Sequence, residues 1–217
     1  MERFLETANR FFDLPLGVRS RLVLLVAALV LIPTYLFPLW QMTLYSNQFP
    51  DGLRLYIYSH KLEGARSPRR DDLREINTLN HYIGMRPLLE SDFSEFKWIP
   101  LMVGIFFILA LRAIVIGKMS NLVDTTVLFM YFGLFSFWSF YRRLYEYGHN
   151  LDPTAPVKVP PFMPPLFGSQ QIANFRVHSY PGAASFFMVG FFLLSLVAIW
   201  LATKERRFRE ISPGAIG

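Results

Sequence analysis

Cysteine is absent from this 217-residue chain. The absence excludes disulfides, thiolate metal sites, thiol nucleophiles, iron–sulfur clusters held by cysteine and covalent c-type haem. Charge is scarce as well. Asp, Glu, Lys and Arg make up 18% of the residues, against about 25% in soluble domains, so much of the surface is expected to face lipid. The long apolar runs contain no histidine, which argues against a b-type haem held by paired histidines between spans. Nor do they hold the series of acids that a proton relay needs. H-E-x-x-H, G-x-S-x-G, P-loop and Gly-rich dinucleotide patterns are all missing, and with them familiar signatures of hydrolases and nucleotide enzymes.

What is present is apolar and aromatic: 53% of the residues are apolar and 22 are Phe. Four runs stand out, at residues 22–42, 98–117, 123–142 and 183–203. Each is near the ~20 residues that a bilayer crossing requires. Pro33 and Pro38 are expected to kink the outer half of the first. That run is long enough to span and lacks a small-x-small cleavage site, so it reads as a span and not as a cleaved leader. The predicted fold class is an all-α membrane protein. It comprises a four-helix transmembrane bundle, a small α+β extracytoplasmic loop domain and an N-terminal interfacial helix.

The net charge of +6 bears on orientation, not on nucleic acid, because the basic residues flank the apolar runs. Arg3, Arg10, Arg19 and Arg21 precede the first run, Lys118 lies in the turn 118–122, and Lys204, Arg206, Arg207 and Arg209 follow the last. All fall on one side of a four-span topology. By the positive-inside rule that side is cytoplasmic, which places both termini in the cytoplasm of a bacterial inner membrane. Arg142 and Arg143, at the outer end of the third run, fit this orientation least well. Trp40 and Trp98 are expected in the aromatic belt at the outer interface. Residues 1–21 form a cytoplasmic segment. Phe4, Leu5, Ala8, Phe11 and Phe12 recur there at helical spacing, as in an amphipathic helix on the membrane surface. The tail 204–217 is cytoplasmic too.

Two segments remain for the outer side. Residues 43–97 read as a strand–helix domain: Leu53, Leu55 and Ile57 alternate with Arg54, Tyr56 and Tyr58. Asp71 or Asp72 offers an N-cap, and Asp72 with Glu75 resembles a capping box. The helix then runs to about Ile83, and Gly84 closes it. Residues 143–182 contain seven prolines, from Pro153 to Pro181, and read as an extended strap. All four histidines, His60, His81, His149 and His178, fall in these two segments. Asn77 and His81 share one helix face, four residues apart, and Asn174 and His178 repeat the spacing. Met85 follows His81 by four. Imidazole with thioether suits Cu(I); the alternative is that His81 satisfies nearby polar groups and Met85 packs.

Three stretches resemble a known group. They are FPDGLRLYIYSHKLEG (49–64), REINTLNHYIGMRPL (74–88) and PPLFGSQQIANFRVHSYPG (164–182). They look like little-characterised bacterial four-span membrane proteins associated with copper handling, of the nitrous-oxide-reductase accessory and cuproenzyme-maturation type. The resemblance implies periplasmic copper delivery or help in maturing a copper-dependent respiratory enzyme. On that reading His81 and His178 are the principal ligands, with Met85 and His60 as further candidates, while Asn77, Asn174 and Tyr82 orient them. A cuproenzyme, a copper chaperone or a larger membrane complex is the implied partner.

Two other readings stay open. One is a structural subunit of a respiratory or photosynthetic complex, with the histidines as ordinary interface residues. The other is an enzyme, which would have to use Glu75 with His81, or Asp92 with Glu95, as acid–base pairs; a solvated helix face explains the same residues.

Overall fold

The computed structural model describes residues 2–172 and 174–211, with side chains from 5 to 205 apart from residue 173. The side chains of Arg3, Phe4, Arg206, Arg207 and Arg209 lie outside the described residues, as does the tail 212–217. In chain order the elements are α1 (Glu2–Phe12), α2 (Val18–Val30), a 3-10 turn (Ile32–Tyr35), β1 (Trp40–Tyr45), β2 (Leu53–Ile57) and β3 (Leu62–Gly64). Then come the short pair β4 (Arg66–Ser67) and β5 (Arg70–Asp71), α3 (Asp72–Tyr82) and a second 3-10 turn (Glu90–Asp92). The chain ends with α4 (Glu95–Ile116), α5 (Met119–His149), β6 (Gly168–Ile172), β7 (Phe175–Pro181) and α6 (Ala183–Ile211).

Four stretches are long and apolar enough to cross a membrane: Val18–Tyr35, Glu95–Ile116, Met119–His149 and Ala183–Glu205. These correspond to the four apolar runs. The first is shorter at its far end than the expected 22–42. Pro33 lacks the N–H that an α-helix needs, so the chain tightens into the 3-10 turn and then extends into β1. Trp40 is consequently a buried core residue of the sheet. α5 has 31 residues, about 46 Å of helix, and so exceeds the ~30 Å of bilayer hydrocarbon.

The chain forms two compact units: Met1–Ile32 with Leu101–Gly133 and Phe187–Gly217, and Pro33–Pro100 with Leu134–Phe186. The first is helical. Ala27, Ala28, Ala110, Ala113, Ala198 and Ala202 are fully buried; small side chains let spanning helices approach closely. Phe106, Phe129, Phe132 and Phe191 fill the remaining core, ring to ring at 4.5–5.8 Å. Ser20 Oγ donates to the Ala198 carbonyl at 2.7 Å, which satisfies a hydroxyl in a region where an unpaired one is costly. Leu16 N–H donates to Gly117 O, and Met119 N–H to Leu14 O. This small bridge fastens the segment after α1 to the α4–α5 turn.

The second unit is built on a five-stranded antiparallel sheet, order β3-β2-β1-β7-β6. This differs from the expectation of a strand–helix domain beside a separate proline strap. β1 and β7 pair in register from Trp40↔Pro181 to Tyr45↔Arg176, so residues from both segments form one sheet. Trp40, Met42, Leu53, Leu55, Leu62, Ile172 and Val177 point to one face, where Ile76 of α3 and Leu144 of α5 complete the core. Trp40 Nε1–H donates to the buried Ser179 Oγ at 2.7 Å, and Ser179 Oγ to Leu166 O at 3.1 Å.

The cap of α3 also differs in part. Asp71 is the N-cap, accepting from Leu73 N–H and Arg74 N–H. Asp72 does not form the expected capping box. It is buried, accepting from Arg70 Nε at 2.7 Å and Arg54 N–H at 2.8 Å. Gly84 closes the helix as expected, at φ +81°.

Candidate functional site

Residues along a strand alternate between faces, so burial of one set fixes where the other points. Outward from the sheet stand Gln41, Thr43 and Tyr45 of β1, Arg54 and Tyr56 of β2, and Arg176, His178 and Tyr180 of β7. Glu63 on β3 and Ser169 and Gln171 on β6 extend the rows. Register aligns them into Glu63–Tyr56–Gln41–Tyr180, then Arg54–Thr43–His178–Ser169, then Tyr45–Arg176–Gln171. Gln41, Tyr45, Arg54, Arg176, Ser169, Gln171 and Tyr180 are exposed, Tyr180 by 52%. The helices and the proline segment complete the opposite face; this one carries no aliphatic core. Sequence reasoning missed it as a surface. Its signal was the alternation in Trp40–Tyr45, absorbed into an apolar run, and in Phe175–Pro181, obscured by polar residues.

The face is basic. Glu63 pairs with Lys61 at 3.0 Å. Among the described residues, neither Arg54 nor Arg176 has an ion-pair partner. The His178 ring meets Tyr45 edge-on at 5.2 Å.

The residues proposed from sequence are not collected into one site. Val177 shares a core with Ile76 of α3, so His178, its neighbour, points to the face opposite the one that α3 covers. His81 is exposed in the last turn of α3. Asn77 does not orient it: Asn77 Oδ1 accepts from Leu88 N–H at 2.7 Å and Nδ2 donates to Leu88 O at 3.4 Å. Met85 N–H donates to Asn80 O at 2.8 Å, and Tyr82 is exposed. His60 is exposed after β2, near Ser59 Oγ and the Tyr58 ring. Asn174 is exposed in the turn between β6 and β7. Among the described residues, no group of three or more His, Cys, Asp or Glu is placed to hold a metal ion.

The proline segment is clipped to the end of α3 by Asp152 N–H to Gly84 O at 2.8 Å and Val157 N–H to Tyr82 O at 3.0 Å. Asp152 Oδ1 accepts from both the side chain and the backbone of Thr154, each at 2.7 Å. Those bonds hold its carboxyl below the ordinary carboxylate range, the Thr154 hydroxyl contributing most. Glu95, one of the candidate acids, is already engaged. Ser139 Oγ donates to it at 2.6 Å, and Arg143 clasps it through Nε at 3.0 Å and Nη2 at 3.2 Å. Arg142 pairs with Glu146. The two arginines that fitted the charge rule least are therefore neutralised by neighbouring acids.

No protein-family model, no curated protein and no solved structure matches this chain.

Proposed function

We propose that the protein is a membrane accessory subunit whose working surface is the outward sheet face, a docking platform anchored by four spans. The observation that carries this reading is a sheet finished on one face and bare on the other, where tyrosine and arginine replace aliphatic residues. Interfaces are enriched in Tyr and Arg, and these two residue types, with Trp, supply much of the binding energy. The platform faces the extracytoplasmic side of a bacterial inner membrane. Arg10, Arg19, Arg21, Lys118 and Lys204 of the helical unit support that orientation, as does the neutralisation of Arg142 and Arg143.

The resemblance to copper-handling proteins makes cuproenzyme maturation the process served. A copper ion on His178, which lies on that face, then draws its remaining ligands from the docked partner; His81 lies on the other side of the sheet. Two measurements test the reading. A photo-crosslinking residue at Gln41 or Tyr180 is expected to give a discrete protein adduct in native membranes, and one at Thr78 on α3 is not. Adducts at Thr78 alone contradict the platform. Purified, dialysed protein is expected to hold no stoichiometric copper, and one tightly bound Cu(I) per chain would return the whole ligand set to this protein.

A further inference from the structure

We infer that the partner seated on this face is an acidic protein surface, held by Arg54 and Arg176. The inference rests on the docking reading and adds the chemistry of the partner. On the outward face the strands carry one carboxylate, Glu63, already engaged by Lys61. Arg54 and Arg176 thus leave two uncompensated positive charges. β1 lies between β2 and β7, and Arg54 pairs with Thr43 while Arg176 pairs with Tyr45. With strands about 4.8 Å apart and about 3.4 Å per residue, their Cα atoms stand about 12 Å apart. That spacing suits carboxylates from two different residues. Tyr45 lies beside Arg176, and Tyr56 and Tyr180 border the adjoining row, offering flat aromatic contact with a hydroxyl at the end.

A sheet face is a plateau, whereas small ligands are held in concave sites; a plateau fits another protein's surface. Its extent, about 19 by 17 Å from strand spacing and rise, is about 320 Å². A standard interface uses about 800 Å² per partner. Docking through this face alone is therefore weak, transient and sensitive to salt.

The test uses the full chain in detergent micelles, titrated with a fluorescein-labelled decaglutamate peptide and, separately, a decalysine peptide. At low salt decaglutamate is expected to bind. The double variant Arg54→Glu/Arg176→Glu is expected to weaken it by about tenfold, and Arg66→Glu/Arg142→Glu to leave it unchanged. Equal binding by wild type and the first variant, or equal binding of decalysine, overturns the inference. If charge reversal impairs folding, judged by the unfolding midpoint, Arg54→Gln/Arg176→Gln replaces it with the same expectation.

Crosslinking at Gln41 and Tyr180 in native membranes separates the two levels. Protein adducts lost on Arg54→Glu/Arg176→Glu support both. Protein adducts that survive that change overturn the acidic partner and leave the platform. No adduct at the face, or an adduct of saccharide or lipid with no peptide in it, overturns both.

Discussion

Asn77 grips the backbone of Leu88 from both sides, accepting from its N–H and donating to its carbonyl. One amide side chain thereby fixes the return of the chain after α3. Asn77→Ala removes both bonds and leaves a partly buried peptide group unpaired. The cost is expected to be about 1–2 kcal/mol, read as a lower unfolding midpoint in detergent. An unchanged midpoint contradicts the clamp. At this scale the sequence was legible in type but not in partner. The Asn-x3-His spacing correctly placed Asn77 and His81 on one helix face, yet Asn77 serves a backbone group eleven residues away. Loop contacts of that kind leave no periodic trace. Arg143 behaves similarly, since its partner Glu95 is found only when α4 and α5 pack, whereas Arg142 pairs with Glu146 four residues on along the same helix, a spacing the sequence does show.

Among the elements, α3 is the best expressed in the sequence, with its apolar stripe, Asp71 cap and closing Gly84 all readable. Gly84 does more than end the helix. A Cβ there would lie 2.8 Å from Asp152 O and 2.9 Å from Asp152 N, at a φ of +81° that disfavours any side chain. Gly84→Ala is expected to cost more than about 1 kcal/mol and to loosen the proline segment. Limited proteolysis reads this as faster cleavage between residues 153 and 161, and an unaltered rate would mean that the clip at Gly84 is dispensable. β1 was the least legible element. Its inward residues Trp40, Met42 and Leu44 continue the apolarity of the preceding span, so period-two alternation was hidden inside a run that hydropathy alone reads as membrane. β6 and β7 were hidden for the opposite reason, because their outward residues are polar and Ser179 replaces an aliphatic residue at a core position.

For the whole molecule, the four long apolar helices were plain from composition, and the pairing of segments outside them was not. Strands β1 and β7 lie about 130 residues apart in the chain, too far for any local pattern to announce their pairing. This pairing is also what separates His178 from His81 and creates the basic outward face, so the functional reading depends on it. The absence of cysteine makes it directly testable. Thr43 and His178 are opposed in register, and opposed residues in antiparallel strands have Cα atoms about 4.5–5.5 Å apart, within disulfide range. The decisive measurement is oxidation of the double variant Thr43→Cys/His178→Cys, followed by peptide mapping. Near-complete crosslinking is expected of Thr43→Cys/His178→Cys and little of Thr43→Cys/Val177→Cys, whose second residue points to the opposite face. Equal crosslinking of both pairs, or none in the first, would contradict the pairing.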